Sequence, residues 1–167
     1  MLDNNYRVEN ISKEKLNTIY TLLGRFINGA DSYADYAKVP RTYGTDDLLY
    51  MRETHFIQAA ARLENPEIGE IAKQLKVTPG AASQTATKLE AKGLLTRRKS
   101  PADSRVVICE LTEKAKTINE FHEQKDNREF LKLADKLSDF DDDDIEKILE
   151  FLDIISVFFK NGMEKYK

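Results

Sequence analysis

The 167-residue chain has little of several things that define large classes of protein. It has no apolar run near the roughly 18 residues that crossing a bilayer as a helix demands, so no membrane span is expected. Met1 to Asn10 mixes acidic and amide residues without an apolar core, and no secretory signal is read there. A single cysteine, Cys109, leaves no partner for an internal disulfide and fits a reducing cytoplasm. There is no glycine-rich phosphate loop, no nucleophile elbow and no Ser-His-Asp or Cys-His set in a supporting context, so the chain is not expected to be an enzyme.

What the chain does have is an uneven distribution of charge. Its net charge is only −3, yet Lys73 to Arg105 holds eight basic residues (Lys73, Lys76, Lys88, Lys92, Arg97, Arg98, Lys99, Arg105) against Glu90 and Asp103. That segment is therefore +6 and the remainder −9, and a local cluster of cations is what a phosphate-binding surface needs. The acids are densest at Asp139 to Glu146. A metal site is one reading of that run. The other is a solvated helix start, which acids favour through the helix dipole, and the apolar periodic stretch that follows supports it.

Apolar residues at threes and fours from Leu16 to Ala37 predict a long helix over Lys13–Lys38, capped by Ser12 and closed by Pro40. A second helix is expected from Thr45 to Leu63, and two more over Glu113–Leu137 and Asp142–Phe159. The last is apolar nearly all round, including Phe151, Phe158 and Phe159, and such a helix must be covered. The middle of the chain offers too little surface to cover it and the first helix together. A homodimer interface built from both ends is the economical solution, with packing inside one subunit as the alternative.

The centre of the chain is more specific. Ile68, Ile71, Ala72 and Leu75 fall at i, i+3, i+4 and i+7, predicting a short helix over Glu70–Lys76 with Gly69 at its N-cap. Thr78 is placed to cap the next helix and Pro79 to occupy its first position. There Ala82, Ala86 and Leu89 form the buried stripe, while Gly80, Ala81, Gln84, Thr87 and Lys88 lie opposite, flanked by Ser83 and Thr85. Small, polar and carrying one cation, that face suits close approach to the major groove and hydrogen bonds to base edges or phosphates. Gly93 ends the helix. Leu94–Arg98 and Arg105–Leu111 read as strands joined by a turn over Lys99–Ser104, a hairpin whose Arg97, Arg98, Lys99 and Arg105 reach phosphates or a narrow minor groove.

From Glu67 to Lys116 this stretch resembles the MarR family of winged helix-turn-helix regulators. Leu-Glu-Ala-Lys-Gly-Leu-Leu at the end of the recognition helix, Asp103-Ser104-Arg105 in the wing and Leu111-Thr112-Glu113-Lys114 after it carry the likeness. The implied fold is mainly α, a winged helix-turn-helix (residues 45–112) flanked by long dimerisation helices (1–44 and 113–167). The resemblance implies a cytoplasmic homodimer, with repression the expected action and activation left open, that sets Pro79–Lys92 helices into successive major grooves of a palindromic operator on double-stranded DNA. Half-site centres would lie about 34 Å apart. It also implies that Arg105 enters the minor groove, that Asp103 pairs with an arginine to shape the wing, and that Thr78 belongs to the DNA-contacting set. Gly69 departs from the Ser or Thr common at that cap.

The signal that such a regulator answers is left open: a small molecule, a metal or an oxidant. His55 on the second helix, with His122 and Asp126 one turn apart on the fifth, resembles the ligand set of a zinc-sensing branch, with Asp126 in place of a histidine. Packing or hydrogen-bonding histidines are the other reading. Tyr33, Tyr36, Tyr43 and Tyr50 either line a pocket for an apolar or aromatic effector or simply pack. Cys109 alternates with Val107 and Leu111 on one strand face, which makes it an inward, inert thiol. The rival to DNA binding is a winged helix serving as a protein-interaction module. The small polar face of the Pro79–Lys92 helix speaks against it, since an interaction helix shows apolar anchors.

Overall fold

A computed structural model describes residues 11–101, 103 and 105–164. Residues 1–10, where no signal was expected, and Ala102 and Ser104 of the expected turn lie outside the described residues. The elements run α1 (Lys13–Lys38), α2 (Met51–Ala61), α3 (Ile68–Gln74), α4 (Pro79–Ala91), β1 (Leu95–Lys99), β2 (Val107–Leu111), α5 (Glu113–Lys136) and α6 (Asp142–Glu164). The mainly helical winged architecture is the one expected. By compactness the chain divides into Met1–His122 and Glu123–Lys167, so α5 begins in one unit and ends in the other.

The core of the first unit gathers the inward residues of each short element. Phe56 and Ile57 come from α2, Ile71 and Ala72 from α3, and Ala82, Ala86 and Leu89 from α4; Leu94, Leu95 and Cys109 come from the hairpin and Ala115 and Ile118 from α5. Leu89 is fully enclosed, which alone contributes about 2 kcal/mol of transfer free energy. The helical stripe of α4 is thus the surface by which the helix is held, and its other side is left outward.

Of the boundaries that differ from the sequence expectation, two matter for how the chain is held together. The second helix starts at Met51, not Thr45. Arg41 and Leu49 exchange both backbone hydrogen bonds at 2.9 Å, which turns residues 41–49 into a closed loop. Tyr43 and Leu49 pin that loop into the core. Gly44, at φ +71°, allows it to pass the Phe121 ring, where any Cβ would sit 3.2 Å from Cδ2. The third helix runs Ile68–Gln74 with Glu67 as its N-cap, so Gly69 lies inside the first turn and is not the cap. Glu67 pairs with Ile108 in an isolated bridge, and Cys109 N–H donates to the Pro66 carbonyl at 2.8 Å; this third piece of extended chain pulls the helix start back.

The ends behave differently from the middle. Among the described residues α1 buries none, and Ile19, Tyr20, Leu22 and Ile27 are exposed. In the second unit α6 buries only Ile155, while Leu149, Ile154, Val157 and Phe158 are each more than half exposed. The acidic run is a helix start as expected: Asp141 Oδ1 accepts the Asp144 N–H at 2.8 Å, and Asp142 to Asp144 fill the first turn.

Candidate nucleic-acid interface

Helix α3, the turn and α4 meet through Lys76, whose φ of +54° places a non-glycine residue in the left-handed region between the helices. Val77 N–H returns to the Ala72 carbonyl at 3.0 Å, fixing that turn. Thr78 then caps α4: its hydroxyl accepts the Ala81 N–H at 3.2 Å, and Pro79 follows at the first helical position. At the far end Gly93, at φ +68°, closes the helix as a C′ glycine. Between these caps Gly80, Ala81, Gln84, Thr87 and Lys88 are exposed, and Ser83 and Thr85 are half-buried. The Thr85 and Thr87 hydroxyls donate to the Ala81 and Ser83 carbonyls at 3.1 and 3.0 Å. Those protons are committed to the backbone, so Thr87 offers a methyl group and an acceptor rather than a donor.

The hairpin pairs antiparallel from Leu95↔Leu111 to Lys99↔Val107. Its arginines carry counter-ions from within the chain; the resemblance implied an arginine partner for Asp103, but nothing in the sequence suggested the partners of Arg97 and Arg98. Arg97 reaches Glu90 on α4, with Nε 2.9 Å from the carboxylate, and is held at the base of the wing rather than its tip. Arg98 pairs with Glu110 on the neighbouring strand. Arg105 pairs with Asp103 through Nε and Nη2, at 3.1 and 2.9 Å to its two oxygens, while Asp103 also accepts the Arg105 N–H at 2.9 Å. Those bonds hold the Asp103 carboxyl below the usual carboxylate range, and the Arg97 guanidinium does the same for Glu90. Arg105 nevertheless stands 89% exposed beyond the strands, and Lys99 is exposed beside it.

Lys92 belongs to the scaffold, not to the outward face. Its ammonium donates to both oxygens of Glu53 and to the Leu48 carbonyl, each at 2.9 Å, with the Glu53 side chain only 1% exposed. Glu53 in turn accepts the Tyr50 N–H at 2.8 Å. One buried carboxylate thus ties the end of α4, the start of α2 and the 41–49 loop together.

The residues weighed as a signal site fall in three places. His55 and His122 come together, ring centroids 5.7 Å apart and planes within 15° of parallel, with Tyr43 edge-on to His122 at 5.3 Å. Among the described residues no group of three or more His, Cys, Asp or Glu side chains gathers as a metal site. Of the four tyrosines, Tyr33 and Tyr50 line a hollow of about 480 Å³ between α1 and α2, with Ala37, Lys38, Met51, Arg52 and His55. Tyr43 is buried, and Tyr36 lies under the Arg41 guanidinium at 3.7 Å. Cys109 is fully buried and its thiol is pushed up to about 11 by desolvation, as an inert thiol should be.

A short helix, a tight turn, a capped helix with a small polar outer face and a β-hairpin with outward cations define a winged helix-turn-helix. More particularly, the sequence model of the MarR family matches residues 49–107, which hold α2, α3, α4 and the hairpin as far as the start of β2. A curated relative, the transcriptional regulator ZitR of Lactococcus lactis subsp. cremoris, is 32% identical over 93 residues, 54% of this chain and 62% of ZitR, less than two thirds of that relative's length. Among solved structures the chain is similar to a zinc-responsive MarR family member, ZitR of Lactococcus lactis (25% identity, 84% of this chain and 99% of that chain, TM-score 0.64). Similar folds, at lower identity, are the adhesin competence repressor AdcR of Streptococcus pyogenes (21%, 83% and 96%, 0.65) and Streptococcus pneumoniae FabT in complex with DNA (22%, 85% and 98%, 0.64). Among the described residues no helix is long and apolar enough to cross a membrane.

Proposed function

We propose that the protein is a homodimeric, sequence-specific DNA-binding regulator of transcription, acting as a repressor in the cytoplasm. The observation that carries this reading is α4 itself. Its apolar stripe is fully engaged in the core, and it presents Gly80, Ala81, Ser83, Gln84, Thr87 and Lys88 outward as a surface without apolar anchors. Thr78 at the head of the helix completes the contacting edge. The wing supplies the second contact, with Arg105 and Lys99 toward the minor groove and Arg98 toward a phosphate; Arg97 shapes the base on which they stand. The exposed apolar residues of α1 and of α6 are the surfaces that a second copy covers, with residues 1–44 and 113–167 as the dimerisation region. Two copies set their α4 helices into successive major grooves of a palindrome.

Fluorescence anisotropy with labelled duplexes at two salt concentrations tests the reading, followed by selection from a random pool. Expected are salt-dependent binding, a palindromic selected site, and weakening by Lys88→Ala and Arg105→Ala. Negligible binding of any duplex at low salt overturns it in favour of a protein-interaction module. For the signal, a small molecule, a metal or an oxidant are all compatible with such a dimer. The solved ZitR is described as zinc-responsive, which supports testing His55, His122 and Asp126 here. Equilibrium dialysis with zinc on the wild type and His122→Ala decides it, and equal weak uptake by both removes zinc.

A further inference from the structure

We propose that Arg52, on α2 and so outside both α4 and the wing, is a further DNA-backbone contact, and that the hollow between α1 and α2 sets its availability; this rests on the DNA-binding reading above. Three observations converge on that side chain. It is exposed in the first turn of α2, where the helix dipole disfavours a cation, so helix stability gives no reason for it. It lines a cleft of about 150 Å³ beside the recognition helix, together with Ala81, Gln84, Thr85 and Lys88. The same side chain also forms a wall of the larger hollow with Tyr33, Tyr50 and Lys38.

Chemistry distinguishes Arg52 from the other cations near α4. Lys92 is held by Glu53, Arg97 by Glu90, Arg98 by Glu110 and Arg105 by Asp103. The cleft that Arg52 shares with Lys88 is lined, among the described residues, by no carboxylate. Two cations facing one groove beside exposed Gln84 form a seat for a phosphate, which an arginine holds bidentately. The guanidinium carbon lies 5.5 Å from the Tyr50 ring, so the side chain rests at the divide between the two hollows. An anion in the larger hollow competes with the phosphate for the same guanidinium, and binding on one side opposes binding on the other.

The test is duplex anisotropy at 50 and 200 mM salt on the full chain, with wild type, Arg52→Ala, Arg52→Lys and the control Lys88→Ala. Each phosphate contact contributes about 0.9 to the log–log salt slope, so loss of two per dimer lowers the slope by about 1.8 and removes about twelvefold of the gain between these salts. Arg52→Ala should show that loss equally on selected and random duplexes, and Arg52→Lys should retain most of the slope. A carboxylate built into the hollow, Ala37→Glu, should weaken binding at least fivefold in the wild-type background and less than twofold in Arg52→Ala. Wild-type binding with an unchanged slope in Arg52→Ala overturns the contact, and equal loss from Ala37→Glu in both backgrounds overturns the control by the hollow. No salt-dependent binding by the wild type overturns the function itself, which separates the two failures.

Discussion

Replacing Lys92 by methionine should destabilise the fold more than any other single loss of charge in the winged helix. Its ammonium supplies Glu53 with two of its three hydrogen bonds, and the carboxylate is 1% exposed. Without Lys92 only the Tyr50 N–H remains, and a buried carboxylate stripped of its cation costs about 3–5 kcal/mol. Lys92 is itself 31% exposed, so water reaches the vacated position and the lower end, about 3 kcal/mol, is expected. That is a large share of the ~5–15 kcal/mol that holds a typical domain together. Urea unfolding followed by far-ultraviolet circular dichroism, at one fixed protein concentration, measures it. The double change Lys92→Met with Glu53→Leu should recover to within about 1 kcal/mol of wild type, because the stranded charge is then gone. A loss below about 1 kcal/mol for Lys92→Met, or a double variant no better than the single one, would refute the reasoning.

Two further outcomes follow from the titratable groups. Cys109 should resist a thiol-disulfide reagent at pH 8 in the native protein and react fully in urea, since its pKa of about 11 and its burial keep it as a covered thiol; fast native labelling would contradict this. The wing turn should keep one conformation from pH 8 down to 5, because Arg105 depresses the Asp103 pKa and a depressed carboxyl contributes above its unfolded value and fails only below about 4. Amide shifts of Arg105 followed by nuclear magnetic resonance check it, and a midpoint above pH 5 would count against the Asp103–Arg105 pair.

Helix α4 was legible because every signal for it is local: Thr78, Pro79, the Ala82–Ala86–Leu89 stripe and Gly93 all sit within one stretch of chain. The 41–49 loop was not. Its Leu48, Leu49 and Tyr50 continue a helical-looking spacing, and the Arg41–Leu49 exchange that overrides it links residues eight apart by backbone alone. The start of α3 shifted for a related reason, since the bridge from Glu67 to Ile108 depends on a strand some forty residues later. The outward face of α4 could be read from helix geometry, but the partners of Lys92 and Arg98 could not. Glu53 precedes Lys92 by 39 positions, and Glu110 follows Arg98 by 12. The histidines show the limit in the other direction: the resemblance to a zinc-sensing branch set His55 and His122 in one neighbourhood, but not the orientation of their rings.

The counter-ions inside the wing have a kinetic consequence. An arginine that leaves a phosphate here does not face bare water, because Glu110 or Asp103 is within a bond's reach to receive it. Release is therefore an exchange between two carboxylate-like partners, with a lower barrier than the separation of a lone ion pair. If the protein binds an operator as proposed, fewer small ions are displaced per contact than a tally of cations suggests, and residence there would be shorter and less sensitive to salt than the basic count of the wing implies. A wing built this way suits a regulator that must let go quickly when its signal arrives.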